Sequence, residues 1–277
     1  MTLTTKHFGV DIPAIGFGTW KLKKETAQEC VAKAIESGYR MIDTAQAYEN
    51  EKDVGRGIKD AQLPREDLWV TTKVWLSEFK DGDLQKSVEK SVSKLGTDYA
   101  DLILLHWPSK DVPLDETLGA LNEVREKGLT KHIGVSNFTV DQLGEAVKLS
   151  KAPILTNQVE YHPFIDQTPV LEAAHAIGTS VTSYSPLAQG QVFDSDVLKE
   201  IGEAHGKTPA QVTIRWFTQQ PGVITIPRSS SPEHLRQNND IHDFELSADE
   251  MGRITALKAN NKRLIDPSWA PEWDSAA

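Results

Sequence analysis

Ala100-Asp-Leu-Ile-Leu-Leu-His106 is the stretch on which the fold reading turns. It is short and almost unbroken in its apolar character, as a strand buried on both faces must be. An amphipathic helix expected over Asp83 to Leu95 precedes it and stops at Gly96. Another over Asp115 to Lys127 follows it and stops at Gly128. Glycine just past the last helical residue takes the left-handed conformation that closes a helix. The same unit repeats on either side, in Leu68-Trp-Val-Thr-Thr-Lys73 and His132-Ile-Gly-Val-Ser136. Five more runs complete a set of eight: Ala14-Ile-Gly-Phe-Gly18, Arg40-Met-Ile-Asp-Thr44, Ile154-Leu-Thr-Asn-Gln158, Ser180-Val-Thr-Ser-Tyr184 and Val223-Ile-Thr-Ile-Pro227.

Between these runs lie further helical stretches, over Glu25 to Ser37 before Gly38, from near Asn50, over Val140 to Leu149, and over Thr168 to Ala176. Successive strands start 23 to 43 residues apart, and eight such units in 277 residues are the arithmetic of an α/β (β/α)8 barrel. A doubly wound open sheet is the competing arrangement of the same units. The longest gap leaves room for an extra helix over Thr208 to Gln219, opened by Thr208-Pro209. A last helix is expected over Ser247 to Lys258, with Glu250 completing a capping box. At the other end, Leu3 to Phe8 and Val10 to Ile12 flank Gly9 and read as a small hairpin plugging the barrel. No linker or low-complexity tract divides the chain, so residues 1–277 read as one domain.

Thirty Lys plus Arg against forty Asp plus Glu leave a formal charge of −10. That balance repels phosphate backbones and anionic lipid, so neither nucleic acid nor membrane is an expected partner. No apolar stretch approaches the roughly 18 residues of a membrane span. The amino terminus lacks the apolar core of a secretory signal, and a cytoplasmic location is expected. The lone Cys30 excludes an intrachain disulfide and reads as an inert thiol on the apolar side of a helix. None of the eight histidines lies three or four residues from another, so no metal is expected.

The carboxy-terminal ends of the strands carry Asp43, Lys73, His106, Ser136 with Asn137, Gln158, Tyr184 and Arg228. In a barrel these ends converge on the face that holds the active site. Two motif matches fail on context. Gly16-Phe-Gly18 begins like a dinucleotide fingerprint, but Lys21 stands where the third glycine belongs. Gly134-Val-Ser136-Asn-Phe138 lacks the closing glycine of a nucleophile elbow.

The runs Gly38-Tyr-Arg-Met-Ile-Asp43-Thr-Ala-Gln-Ala-Tyr48-Glu-Asn-Glu51, Thr72-Lys73, Leu105-His106-Trp107-Pro108 and Ile133-Gly-Val-Ser-Asn137-Phe138 resemble an aldo-keto reductase. Asn157-Gln158-Val-Glu-Tyr-His162, Ser183-Tyr184-Ser-Pro-Leu187 and Ile226-Pro-Arg228-Ser229 continue the likeness through nearly the whole chain. The ending Arg263-Leu-Ile and Ala270-Pro-Glu-Trp273-Asp274 is similar to that of bacterial 2,5-diketo-D-gluconate reductases of the B type, which also reduce methylglyoxal.

The resemblance implies a barrel that binds NADPH without a Rossmann fold, with NADH tolerated, and that passes a hydride to a small aldehyde, α-dicarbonyl or keto-sugar acid. It assigns catalysis to Asp43, Tyr48, Lys73 and His106. Each role is chemically sensible. Carbonyl reduction develops negative charge on oxygen, which needs a proton and a stabilising field. A phenol of ordinary pKa about 10 gives up that proton only if its phenolate is steadied. Lys73 can do so, Asp43 can hold Lys73, and His106 can orient the carbonyl oxygen.

By the same resemblance the nicotinamide lies on Tyr184, with its carboxamide near Ser136, Asn137 and Gln158. The loop from Ser185 through Leu187 and Gln189 to Gly190 follows the pyrophosphate. Arg228, Ser229 and Ser230 meet the adenosine phosphate, while Gln237 and Asn238 approach the adenine. His234 stands where an arginine is usual, which implies a narrower preference for NADPH. Trp20, Trp75 and Trp107, together with Tyr48 and His106, are expected to wall the substrate pocket, and Trp269 and Trp273 could close it. A monomer is expected. The alternative reading is a cofactor-binding regulatory or structural protein on the same fold.

Overall fold

The computed structural model describes residues 3–274. A hairpin of β1 (Thr4–His7) and β2 (Val10–Pro13) opens the chain. Eight parallel strands follow: β3 (Phe17–Gly18), β4 (Met41–Asp43), β5 (Trp69–Val74), β6 (Ala100–Leu105), β7 (Thr130–Ser136), β8 (Ile154–Glu160), β9 (Ser180–Tyr184) and β10 (Val223–Thr225). Each of the eight expected runs holds one of them, and each pairs with its sequence neighbour.

The first and last strands meet. Ile15 bridges Thr225 in parallel, Gly16 N–H donates to Thr225 O (2.8 Å), and Gly18 N–H donates to Pro227 O (3.1 Å). The sheet is therefore closed, and the open doubly wound alternative does not apply. This seam explains the two glycines that mimic a nucleotide motif. A Cβ on Gly18 would sit 2.8 Å from the Ile226 carbonyl oxygen, and one on Gly16 would lie 2.7 Å from Met41 Cγ. At Gly18 only glycine lets the two strand backbones approach so closely, while at Gly16 the space is taken by the Met41 side chain.

Around the sheet run α1 (Lys24–Glu36), α2 (Glu51–Asp60), α3 (Asp83–Leu95), α4 (Leu114–Glu126), α5 (Val140–Leu149) and α6 (Thr168–Ala176). Then come α7 (Asp196–His205), α8 (Pro209–Thr218), α9 (Pro232–Asn239) and α10 (Ala248–Ala256). Helix α3 shows why the amphipathic reading works: Leu84, Val88, Val92 and Leu95 are buried at helical spacing, and Gly96 follows at φ 66°. Capping boxes at Thr139, Thr208 and Ser247 start α5, α8 and α10. Helix α7 has no counterpart among the helices expected from the sequence. It buries Leu198, Ile201 and Gly202 against α8 and α10 and shows no long apolar stripe.

Side chains alternate along each strand, so residues two apart share a face. Met41, Trp69, Leu102, Leu104, Ile224 and Ile226 form one buried cluster inside the barrel, with Ile12 of the hairpin joining them. Their strand neighbours Ile42, Val70, Ile103 and Leu105 face the helices instead. Stepping by two from Met41 reaches Asp43, from Trp69 through Thr71 reaches Lys73, and from Leu104 reaches His106. The same periodicity that fills the barrel thus aims three polar side chains inward at its carboxy-terminal rim. Among the described residues, no helix is long and apolar enough to cross a membrane.

Candidate active site

Lys73 is fully buried at the top of β5. Its ammonium is ion-paired with Asp43 and donates to the Thr44 carbonyl oxygen (2.8 Å). Its third contact is the Tyr48 hydroxyl at 3.4 Å. Asp43 is held from its other oxygen by Gln158 Nε2 (2.7 Å). A buried charge pair is costly unless its remaining lone pairs and protons are met, and here they are. Tyr48 sits on a single 3-10 turn, Gln46–Tyr48, directly beyond β4.

Across the cavity His106 packs edge-on to Tyr48 (centroids 5.7 Å apart) and to Trp75 (5.2 Å). Burial, then the Lys73 charge, holds its imidazole well below the ordinary range. His106 is therefore neutral at physiological pH, and its Nδ1 is buried without a hydrogen-bond partner. Burial, and after it the Asp43 charge, pushes the Tyr48 phenol well above the ordinary range. Burial also lowers the Lys73 ammonium, against the opposing pull of Asp43. The phenol keeps its proton at rest, with a cation beside its oxygen. Such an arrangement can protonate a substrate oxygen and steady the phenolate left behind.

Beside this corner Tyr184 donates its hydroxyl to Asn137 Oδ1 (2.8 Å). Asn137 Nδ2 donates to the His106 carbonyl oxygen (3.0 Å) and Ser136 Oγ to the Gln158 carbonyl oxygen (2.8 Å). Asn137 holds φ 63°, a left-handed turn that directs its amide back over the rim. The four residues expected at the nicotinamide thus lie together around one aromatic face. They line, with Asp43, Tyr48 and His106, a cavity of about 270 Å³ walled by Trp20, Trp75 and Trp107.

A second cavity of about 630 Å³ adjoins it, sharing Trp20, Ser185, Pro186 and Arg228 with the first. Leu187, Gln189, Ser229, Ser230, His234, Gln237 and Asn238 line it, so every residue expected at the pyrophosphate and adenosine faces one groove. Ser185, Ala188 and Gln189 all have positive φ there, at 50°, 47° and 53°. Arg228, exposed, lies where the two cavities meet, and α9, capped by Ser231, begins beside the second. A guanidinium fork suits an anion such as phosphate. Cys30 lies buried below, 3.8 Å from the Ser230 carbonyl oxygen, its thiol pushed up by burial. An aromatic platform, a ring of amides and an adjoining groove lined by a guanidinium fit a nicotinamide dinucleotide.

Sequence reasoning left out Ile265, which lines the inner cavity. It comes from a tail without periodicity, where the Arg263-Leu-Ile likeness covers it but assigns it no role. Trp269 from the same tail stands over the indole wall, edge-on to Trp107 (5.0 Å) and Trp75 (6.0 Å). Trp273 lies 5.9 Å from Trp107.

Comparison with known proteins agrees with this arrangement. The profile of the aldo/keto reductase family matches residues 14–259. Methylglyoxal reductase DkgB of Escherichia coli is 40% identical over 266 residues, covering 95% of this chain and 99% of that protein. Glyoxal reductase of Bacillus subtilis is 42% identical, covering 92% of each chain. The crystal structure of a candidate 2,5-diketo-D-gluconic acid reductase B superposes with a TM-score of 0.97 at 46% identity, covering 99% of this chain and 98% of that one. An aldo-keto reductase of Bombyx mori in complex with NADP gives a TM-score of 0.88 at 31% identity, covering 96% of each. The chain belongs to the aldo/keto reductase family, and its activity is that of an oxidoreductase acting on carbonyl groups.

Proposed function

We propose that this protein reduces small aldehydes, α-dicarbonyls or keto-sugar acids to alcohols, using NADPH and taking methylglyoxal as a good substrate. The observation that carries this reading is the Lys73 ammonium set between Asp43 and the Tyr48 hydroxyl at the floor of an indole-walled cavity. Tyr48 gives its proton to the carbonyl oxygen, and Lys73, fixed by Asp43, steadies the phenolate. His106, neutral and opposite Tyr48, orients that oxygen. Tyr184 supplies the face for the nicotinamide, with Ser136, Asn137 and Gln158 at its edge. When bound, the reduced nicotinamide supplies the hydride. The cavity's modest volume and its aromatic walls suit a small carbonyl. The names of the bacterial relatives favour a dicarbonyl.

Arg228 in the groove supports NADPH over NADH. His234, close by where an arginine is usual in the family, narrows that preference, so NADH is accepted at lower efficiency. Turnover of NADPH with methylglyoxal, glyoxal and 2,5-diketo-D-gluconate tests the reading. NADPH binding without oxidation across that panel would favour the regulatory alternative instead.

A further inference from the structure

The segment 262–274 crosses the barrel rim as a strap fixed at both ends. At its far end Asp274 accepts the Val140 backbone N–H on both carboxylate oxygens (3.0 and 3.3 Å). Trp273 donates Nε1–H to Asp266 (2.9 Å) and lies 3.8 Å from the half-buried Arg263 guanidinium. Between the two fixed points Ile265 faces the inner cavity and Trp269 leans on Trp75 and Trp107.

The near end is fixed by the Lys262 N–H, which donates to the Phe164 carbonyl oxygen (2.8 Å), and by Glu160, the last residue of β8, which has no solvent exposure. Its Oε1 accepts the Leu264 N–H (2.6 Å) and its Oε2 accepts the Ile265 N–H (2.7 Å). His162 Nε2 lies 3.0 Å from Oε1. His162 Nδ1 accepts the Phe164 N–H (3.2 Å), so the neutral ring carries its proton on Nε2 and donates it to Glu160. Three donors therefore converge on one buried carboxylate that takes no part in the chemistry proposed above. Burying such a group is unfavourable unless donors meet it, and two of these three belong to the strap. Glu160 also pairs in register with Tyr184 across β9, so its backbone is tied to the strand that carries the aromatic platform.

We propose that Glu160 is a positioning residue: it clasps the backbone at Leu264 and Ile265, holds Ile265 in the wall of the substrate cavity and Trp269 against the Trp75 and Trp107 that wall it, and so limits the size of the carbonyl admitted. This rests on the carbonyl-reductase reading. The test compares Glu160→Gln, which keeps the shape and removes the charge, with Leu264→Pro, which leaves Glu160 in place and removes one strap N–H. Both should raise KM for methylglyoxal about tenfold, the size expected for losing one charge-assisted hydrogen bond, with kcat changing far less. The kcat/KM ratio of a bulky aryl aldehyde to methylglyoxal should rise by a similar factor. Chymotrypsin should cut after Trp269 at least tenfold faster, while the main thermal transition persists.

Unchanged selectivity and unchanged cleavage in a folded variant overturn the proposal. If Glu160→Gln does not fold, Leu264→Pro decides alone. If the wild type reduces no carbonyl, the function proposed above fails, and the cleavage rates still decide whether Glu160 clasps the strap.

Discussion

At the Asp43–Lys73 corner each charged atom is met from the barrel wall, by Thr44, Gln158 or Tyr48. In the outer groove, Arg228 and His234 project from a loop and a short helix into solvent. The corner rests on strand ends whose neighbours fill the barrel, so its geometry cannot relax without disturbing the interior. The groove can. Chemistry requiring sub-ångström placement sits on the rigid part, while cofactor discrimination rests on exposed charges that solvent screens. Substitutions in the two regions should therefore differ in size by orders of magnitude.

The largest effect is expected from Lys73→Met. It leaves Asp43 buried beside a neutral side chain, which typically costs about 3–5 kcal/mol of stability. It also removes the cation beside Tyr48. Carbonyl reduction should fall at least as far as in Tyr48→Phe, and thermal melts should show the lost stability; normal turnover would break the contrast at once. Tyr48→Phe should bind NADPH normally in a fluorescence titration yet lose about 10²- to 10⁴-fold in kcat, the usual worth of general acid catalysis. Retention of a third of wild-type kcat would remove Tyr48 from its role.

In the groove, Arg228→Leu should raise KM for NADPH about tenfold and leave that for NADH nearly unchanged, since one charge-assisted contact is lost. His234→Arg should increase the NADPH/NADH ratio of kcat/KM only about two- to fivefold, the range of an exposed ion pair. A larger gain would mean that this part of the groove is more enclosed than its exposure suggests.

The smallest expected effect is the absence of one. A histidine whose pKa is lowered stays neutral until the pH falls below that lowered value. Because burial and Lys73 both lower His106, kcat at saturating cofactor should stay level through the ordinary imidazole range near about 6.5. A limb there that disappears in His106→Gln would show the imidazole to be titrating, and the corner to be wetter than its packing implies.

Much of this contrast could be read from the chain alone. Eight buried runs, each followed by room for a helix, required a parallel sheet covered by helices. Once that sheet is a barrel, Asp43, Lys73 and His106 must share an inward face, because side chains alternate along each strand. Helix ends at Gly96 and Gly128, and the capping residues Thr208 and Ser247, are equally local, since their effects reach only a few residues.

Other features required the chain to be folded. Closure depends on Gly16 and Gly18 meeting Thr225 and Pro227 some two hundred residues away, and the short strand β3 carries little signal of its own. Helix α7 rests on other helices through only Leu198, Ile201 and Gly202, too few positions to mark a face. Glu160 lies within the Asn157–His162 run, but its contact with Leu264 and Ile265 spans more than a hundred residues. Trp269 likewise finds Trp75 and Trp107 only across the rim. Local patterns show which side of an element must be covered, because burial follows the period of helix or strand. They do not show which distant segment covers it. That is settled only when the barrel closes and brings the carboxy-terminal tail over the rim.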